Sequence, residues 1–185
     1  MSIQKRSSRI FSLLLAMATI LSSVSFASAA EVPSANADKP KYEISVSGAE
    51  NIAAYKEAGI IRSCDASPSA LRTVEARAAK PTSVWNLDTQ GCRSTTYSMS
   101  TYIYSGYLYN SGSYSDIWHT FYPNQVQKMT VHCYKANGVE WGSGYTSDNT
   151  DEEFAYAIAT SSSTNYYFTY GSTNGNYISG SMDIC

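Results

Sequence analysis

Polar and apolar positions alternate with a period of two through much of residues 82–185. In 129–134, Met129, Val131 and Cys133 fall on one side, and Thr130, His132 and Tyr134 on the other. Tyr97, Met99, Thr101 and Ile103 alternate in the same way with Ser98, Ser100, Tyr102 and Tyr104. Successive side chains of a strand point to opposite faces, so this pattern predicts half-buried strands. Strands are expected near 82–87, 94–100, 101–109, 114–121, 126–135, 138–142, 165–171 and 176–183. Asn137-Gly138 and Asn174-Gly175 carry the signature of two-residue hairpin turns, and Asn110-Ser111-Gly112 reads as a looser one. Short strands at this spacing predict a mainly β fold, an antiparallel sandwich or barrel.

Residues 31–80 have a different texture, which predicts a helical N-terminal segment, with 31–41 loose. Ser47 and Glu50 have capping-box spacing ahead of an Ala-rich stretch, and Gly59 stands where a helix end favours left-handed backbone. A second helix is expected from Ser67 and Pro68 to just before Pro81. The stretch 151–160 is ambiguous between helix and strand. Thr150 as a cap, with Asp151, Glu152 and Glu153 in a first turn, tips the expectation towards helix.

The start of the chain changes the picture. Lys5, Arg6 and Arg9 precede an uncharged apolar run over 10–21, followed by Ala27, Ser28, Ala29 and Ala30. This is the three-part form of a secretory signal peptide over 1–30, and the apolar run is shorter than the ~20 residues that span a bilayer. The expected mature protein is therefore secreted. Without those three cations, ten Lys and Arg face fifteen Asp and Glu, a net charge of −5. Such a balance argues against nucleic acid, whose binding rests on phosphate neutralisation.

Four cysteines, Cys64, Cys92, Cys133 and Cys185, lie beyond the signal. An even number in an oxidising compartment predicts two disulfides, with Cys64–Cys92 and Cys133–Cys185 the preferred pairing. Removal of 31–80 as a propeptide would strand an odd cysteine, so retention of that segment is expected.

Catalytic and metal motifs are absent from the sequence. The two histidines, His119 and His132, are thirteen residues apart, and no C-x-x-C spacing accompanies them. Asp148, Asp151, Glu152 and Glu153 lack the order of a calcium loop. No G-x-S-x-G elbow supports a triad drawn from Asp116, His119 and a serine. Among Asp88, Asp116, Glu140 and Asp183, no two stand out as a glycosidase pair. No cofactor and no metal is expected. His119 shares a face with Ile117 and Phe121 and reads as core; His132 reads as exposed.

The distinctive chemistry is aromatic. Residues 82–185 hold 14 of the 16 Tyr and all 3 Trp, set among Ser, Thr and Asn. Tyr102, Tyr104, His132 and Tyr134 are expected on outward faces. They form the candidate binding surface of a non-catalytic protein engaging extracellular glycan or a protein partner. A membrane-active, bacteriocin-like toxin is the second expectation, because 94–115 and 154–182 carry no charge. A small hydrolase built on His119 or His132 is the third.

Overall fold

The computed structural model describes residues 39–64 and 79–185. The proposed signal peptide and the expected helix from Ser67 to Pro81 fall almost wholly outside these residues. Among the described residues, eleven strands and two short helices follow one another: β1 (Glu43–Ser47), α1 (Ala49–Glu57), β2 (Val84–Asn86), α2 (Leu87–Gln90), β3 (Arg93–Met99), β4 (Tyr102–Tyr104), β5 (Leu108–Asn110), β6 (Asp116–Pro123), β7 (Met129–Lys135), β8 (Tyr145–Thr146), β9 (Phe154–Ala159), β10 (Tyr166–Ser172) and β11 (Ile178–Ile184). They form two sheets stacked as a sandwich. The first has the order β1-β9-β6-β11-β3; the second is β2-β5-β10-β7-β8, with β4 also paired to β10. All pairings are antiparallel except β2 with β5.

The interior follows from the alternation. Met129, Val131 and Cys133 of β7 and Tyr166, Phe168 and Tyr170 of β10 meet Phe121 of β6, Phe154, Tyr156 and Ile158 of β9, and Met182 and Ile184 of β11. The expected strand over 101–109 is two strands. The chain crosses from the first sheet to the second at Ser100-Thr101, so Thr101 is exposed and leaves the buried row of Tyr97, Met99 and Ile103. The turn at Asn174-Gly175 joins β10 to β11, which belong to different sheets, so it is not a hairpin turn. The run 138–142 supplies only a single bridge, Glu140 to Tyr134.

A second layer covers the outer face of the first sheet. Ile52 of α1 and Ile61 pack with Val46, Trp118, Ala155, Ala157 and Cys185. Strand β9 is therefore buried on both faces, with Phe154, Tyr156 and Ile158 inside the sandwich and the small Ala155 and Ala157 beneath the helix. This corrects the helix expected over 151–160. A strand covered on both sides reads as an unbroken apolar run, which periodicity does not separate from a buried helix. Burial in the two layers also accounts for the lack of charge over 154–182, most of which is β9, β10 and β11.

The described part of the N-terminal segment differs from the helical expectation in two ways. Residues 43–47 are a strand paired with β9. Ser47 ends that strand, so Gly48 stands at the N-cap of α1 and no side chain caps the helix. The helix end matches: Gly59 takes φ 70°, its N–H bonds the Lys56 carbonyl, and Ile60 N–H bonds the Tyr55 carbonyl.

The cysteines are corrected as well. Cys92 and Cys185 form the disulfide, while Cys64 and Cys133 are free thiols. Neither expected pair forms. Cys133 lies between the sheets and Cys185 on the helix-covered face, so the first sheet stands between them.

Gly180 of β11 marks a close approach. A Cβ there would lie 2.4 Å from the Tyr122 carbonyl oxygen and 2.5 Å from the Tyr97 hydroxyl. Gly180→Ala is expected to destabilise the fold by about 1–3 kcal/mol, the usual cost of overpacking. A urea midpoint unchanged from wild type would count against this packing.

Candidate functional site

The second sheet turns one face away from the sandwich, and strand register assembles the candidate residues there. On β10, Tyr167, Thr169 and Gly171 alternate with the buried Tyr166, Phe168 and Tyr170. Thr169 lies between Tyr104 of β4 and His132 of β7, and Tyr167 lies opposite Tyr134. Gly171 lies between Tyr102 and Thr130. All four residues predicted from sequence, Tyr102, Tyr104, His132 and Tyr134, thus occupy one surface.

Their rings form a connected row. Tyr102 and Tyr104 meet edge to face at 5.8 Å between centroids, and Tyr104 meets Tyr167 at 5.9 Å. Tyr167 stacks on Tyr134 at 5.1 Å and 13°, and His132 follows at 6.5 Å from Tyr134. Tyr102, at 60% exposure, is the most open of them, whereas Tyr167 is buried beneath its neighbours. The Lys80 ammonium sits 4.9 Å from the Tyr167 ring centre and donates to the Ala136 carbonyl.

The polar end of the row is a His–carboxylate pair. His132 Nδ1 lies 2.8 Å from Glu140 Oε1, and both side chains remain partly open to solvent. Gly144, at φ 78°, comes so close that a Cβ there would stand 2.7 Å from His132 Nδ1. A glycine in left-handed backbone thus makes room for the imidazole. The Tyr134 hydroxyl is held above its ordinary pKa by desolvation first and then by the Glu140 charge. Desolvation, with Tyr104 and Tyr134 beside it, does the same for Tyr167. Both phenols stay protonated at neutral pH, able to donate as well as accept hydrogen bonds.

His119 is not part of this surface. It points into the sandwich, fully buried, with its ring 4.2 Å from Phe168 and 5.7 Å from Tyr170. Neither ring nitrogen has a hydrogen-bond partner among the described residues. Burial lowers its pKa to about 3, so the imidazole is neutral and out of reach of a substrate.

Sequence reasoning missed Tyr167, the centre of the row, and Lys80, and it named Glu140 only as one of four candidate glycosidase carboxylates. Tyr166 and Tyr167 are adjacent and identical in type, so the local pattern does not say which one faces out. No protein-family model matches this chain, and no curated protein or solved structure matches it significantly.

Proposed function

We propose that this is a secreted, non-catalytic binding protein that engages extracellular glycan through the outer face of its second sheet. One observation carries the reading: Tyr102, Tyr104 and Tyr134 lie on a solvent-facing strand surface, linked ring to ring through the buried Tyr167, and the row ends in His132 and Glu140. Ring faces suit the C–H faces of sugars. Phenol, imidazole and carboxylate groups beside them suit sugar hydroxyls, which donate and accept. The signal-like N-terminus and the Cys92–Cys185 disulfide support an extracellular setting.

Co-sedimentation with insoluble glycans (cell-wall sacculi, cellulose, chitin and starch) tests the proposal. Wild type is expected to be retained on one of them and released by its soluble fragments. The double variant Tyr102→Ala/Tyr104→Ala is expected to bind at least about tenfold more weakly, equivalent to ~1.4 kcal/mol. Its melting temperature should fall only modestly, because Tyr102 is exposed and Tyr104 half-buried, and substitutions outside the core usually cost little. Equal retention by the variant would remove the tyrosine row from the interaction. Retention on none of the glycans would turn the same surface towards a protein partner.

A further inference from the structure

On the opposite side of the molecule, where α1 covers the first sheet, three sulfurs gather. The Sγ atoms of Cys64, Cys92 and Cys185 all lie within 4.8 Å of one another, and Cys64 Sγ is 3.7 Å from Cys185 Sγ. Cys92 and Cys185 share the disulfide and Cys64 is a thiol, so the free sulfur stands in contact range of the bonded one.

The surroundings hold a proton acceptor. Ser94 and the Asp183 carboxylate stand beside the Cys64 thiol and act on its ionisation. Asp183 in turn accepts from Ser94 Oγ at 2.5 Å and from the Tyr122 hydroxyl at 2.9 Å. Lys56 Nζ donates to that hydroxyl at 2.8 Å. Strand parity builds this chain: Ser94, Tyr122, Asp183 and Cys185 come from the helix-facing sides of β3, β6 and β11, and Lys56 comes from α1. Cys92 lines an open cleft of about 450 Å³ together with Lys56, Arg62, Leu87, Gly91 and Tyr114.

We infer that Cys64, Cys92 and Cys185 form an internal thiol–disulfide exchange centre in which Asp183 is the base and Cys92 the leaving sulfur. Asp183 takes the Cys64 proton. The three sulfurs form a bent group, so Cys64 first swings into line with the Cys185–Cys92 bond, and its electron pair then forms a bond to Cys185 Sγ. The Cys92–Cys185 bond breaks, and its electron pair leaves on Cys92, which is protonated from solvent while Asp183 gives its proton back to solvent and is again a carboxylate. One disulfide and one thiol are present before and after, so no oxidant or reductant is consumed. Lys56 and Arg62, cations on the same cleft, favour the departing Cys92 thiolate. The product ties the residue at the end of the α1 region, rather than the start of β3, to the end of β11. A thiolate is the attacking species in such exchange. Burial raises the Cys64 pKa to about 11, with Asp183 adding to the rise and Ser94 and Lys56 opposing it. Free thiolate is therefore scarce at neutral pH, and exchange there depends on a base in contact with the thiol.

Trapping of the full chain under native conditions tests this. Protein at pH 7 is exposed to iodoacetamide over time, quenched in acid, digested with pepsin and mapped without reduction. The expected result is a growing population with Cys92 alkylated and Cys64 bridged to Cys185. In Cys64→Ser, Cys92 should stay bridged and unlabelled. Label on Cys64 alone, with the Cys92–Cys185 bridge in every chain, would overturn the proposal. So would labelling of Cys92 in Cys64→Ser. Asp183→Asn separates a base from a mere charge. Loss of the base should slow exchange at pH 7 by on the order of a hundredfold and make the rate climb steeply with pH. Removal of a charge alone would ease Cys64 ionisation and speed exchange, and an unchanged or faster rate would overturn the role of Asp183. The wild-type and Cys64→Ser arms decide the exchange itself, even if Asp183→Asn fails to fold.

Discussion

Between pH 7 and pH 3 the folded protein is expected to lose roughly 4 kcal/mol of stability through one side chain, His119. The sign follows from where the proton goes. His119 is buried among Tyr109, Phe121, Phe168 and Tyr170, and burial alone lowers its pKa to about 3. In the unfolded chain the same group titrates near its ordinary value of about 6.5. Above that pH neither state binds the proton and the folded state has its full stability. Below it the unfolded chain gains a proton that the folded protein refuses. Stability then falls by about 1.4 kcal/mol per pH unit until the folded pKa is reached. Domains of this kind have only about 5–15 kcal/mol in total, so the fall is decisive. Urea unfolding at several pH values should show wild type losing stability faster than His119→Leu, with the two curves diverging below about pH 6.5. Carboxylates add their own acid dependence to both proteins, so the difference is the quantity to read. Parallel curves would mean that His119 reaches water or a partner in the folded state.

The other large effect is expected at Phe121. Its ring stacks on Phe154 at 4.7 Å, meets Tyr97 at 6.1 Å and Tyr170 at 5.9 Å, and lies over His119 at 6.1 Å. It is completely buried where β6, the middle strand of the first sheet, faces β10 of the second. Phe121→Ala removes contacts to both sheets and leaves a space that ring-shaped neighbours fill poorly. The expected loss is about 3–5 kcal/mol, comparable with the whole stability of a marginal domain. The urea midpoint should fall sharply while the slope stays the same, as for a change in stability without a change in compactness. A loss below about 1 kcal/mol would place the centre of the core elsewhere.

Where the sequence was informative, the information was strand parity. Alternation alone placed Met129, Val131 and Cys133 inside and His132 and Tyr134 outside, and it separated Tyr102 and Tyr104 from Ile103. Parity says nothing about which strand lies beside which. Tyr104, Thr169 and His132 become neighbours only when β4 and β7 take opposite edges of β10, and that register is set by contacts between distant segments. The helix expected at 151–160 shows the same limit from the other side. The Thr150 hydroxyl does accept a backbone N–H, from Glu152 at 2.9 Å, but it closes a turn before β9 rather than a helix. What decides between the two is cover from α1, about a hundred residues earlier in the chain, and the local pattern contains no trace of it. The disulfide departs from the expected pairing for a related reason. Pairing preference followed sequence order, whereas the sheet separates Cys133 from Cys185 and brings Cys92, just before β3, beside the end of β11.

One consequence follows from the place of β1. Among the described residues it is the partner of β9 on that side of the first sheet, and it comes from the segment ahead of α1. A protease that cut between α1 and β2 and released the N-terminal piece would uncover both the outer apolar face of β9 and its row of backbone N–H and C=O groups. The bared sequence, Phe-Ala-Tyr-Ala-Ile-Ala, is uncharged and rich in strand-forming residues. An unpaired strand edge of that composition is a template for chain-to-chain association and fibril growth. The short strand Glu43–Ser47 thus acts as a built-in guard against self-assembly, and trimming it would produce an aggregating protein rather than a smaller soluble one.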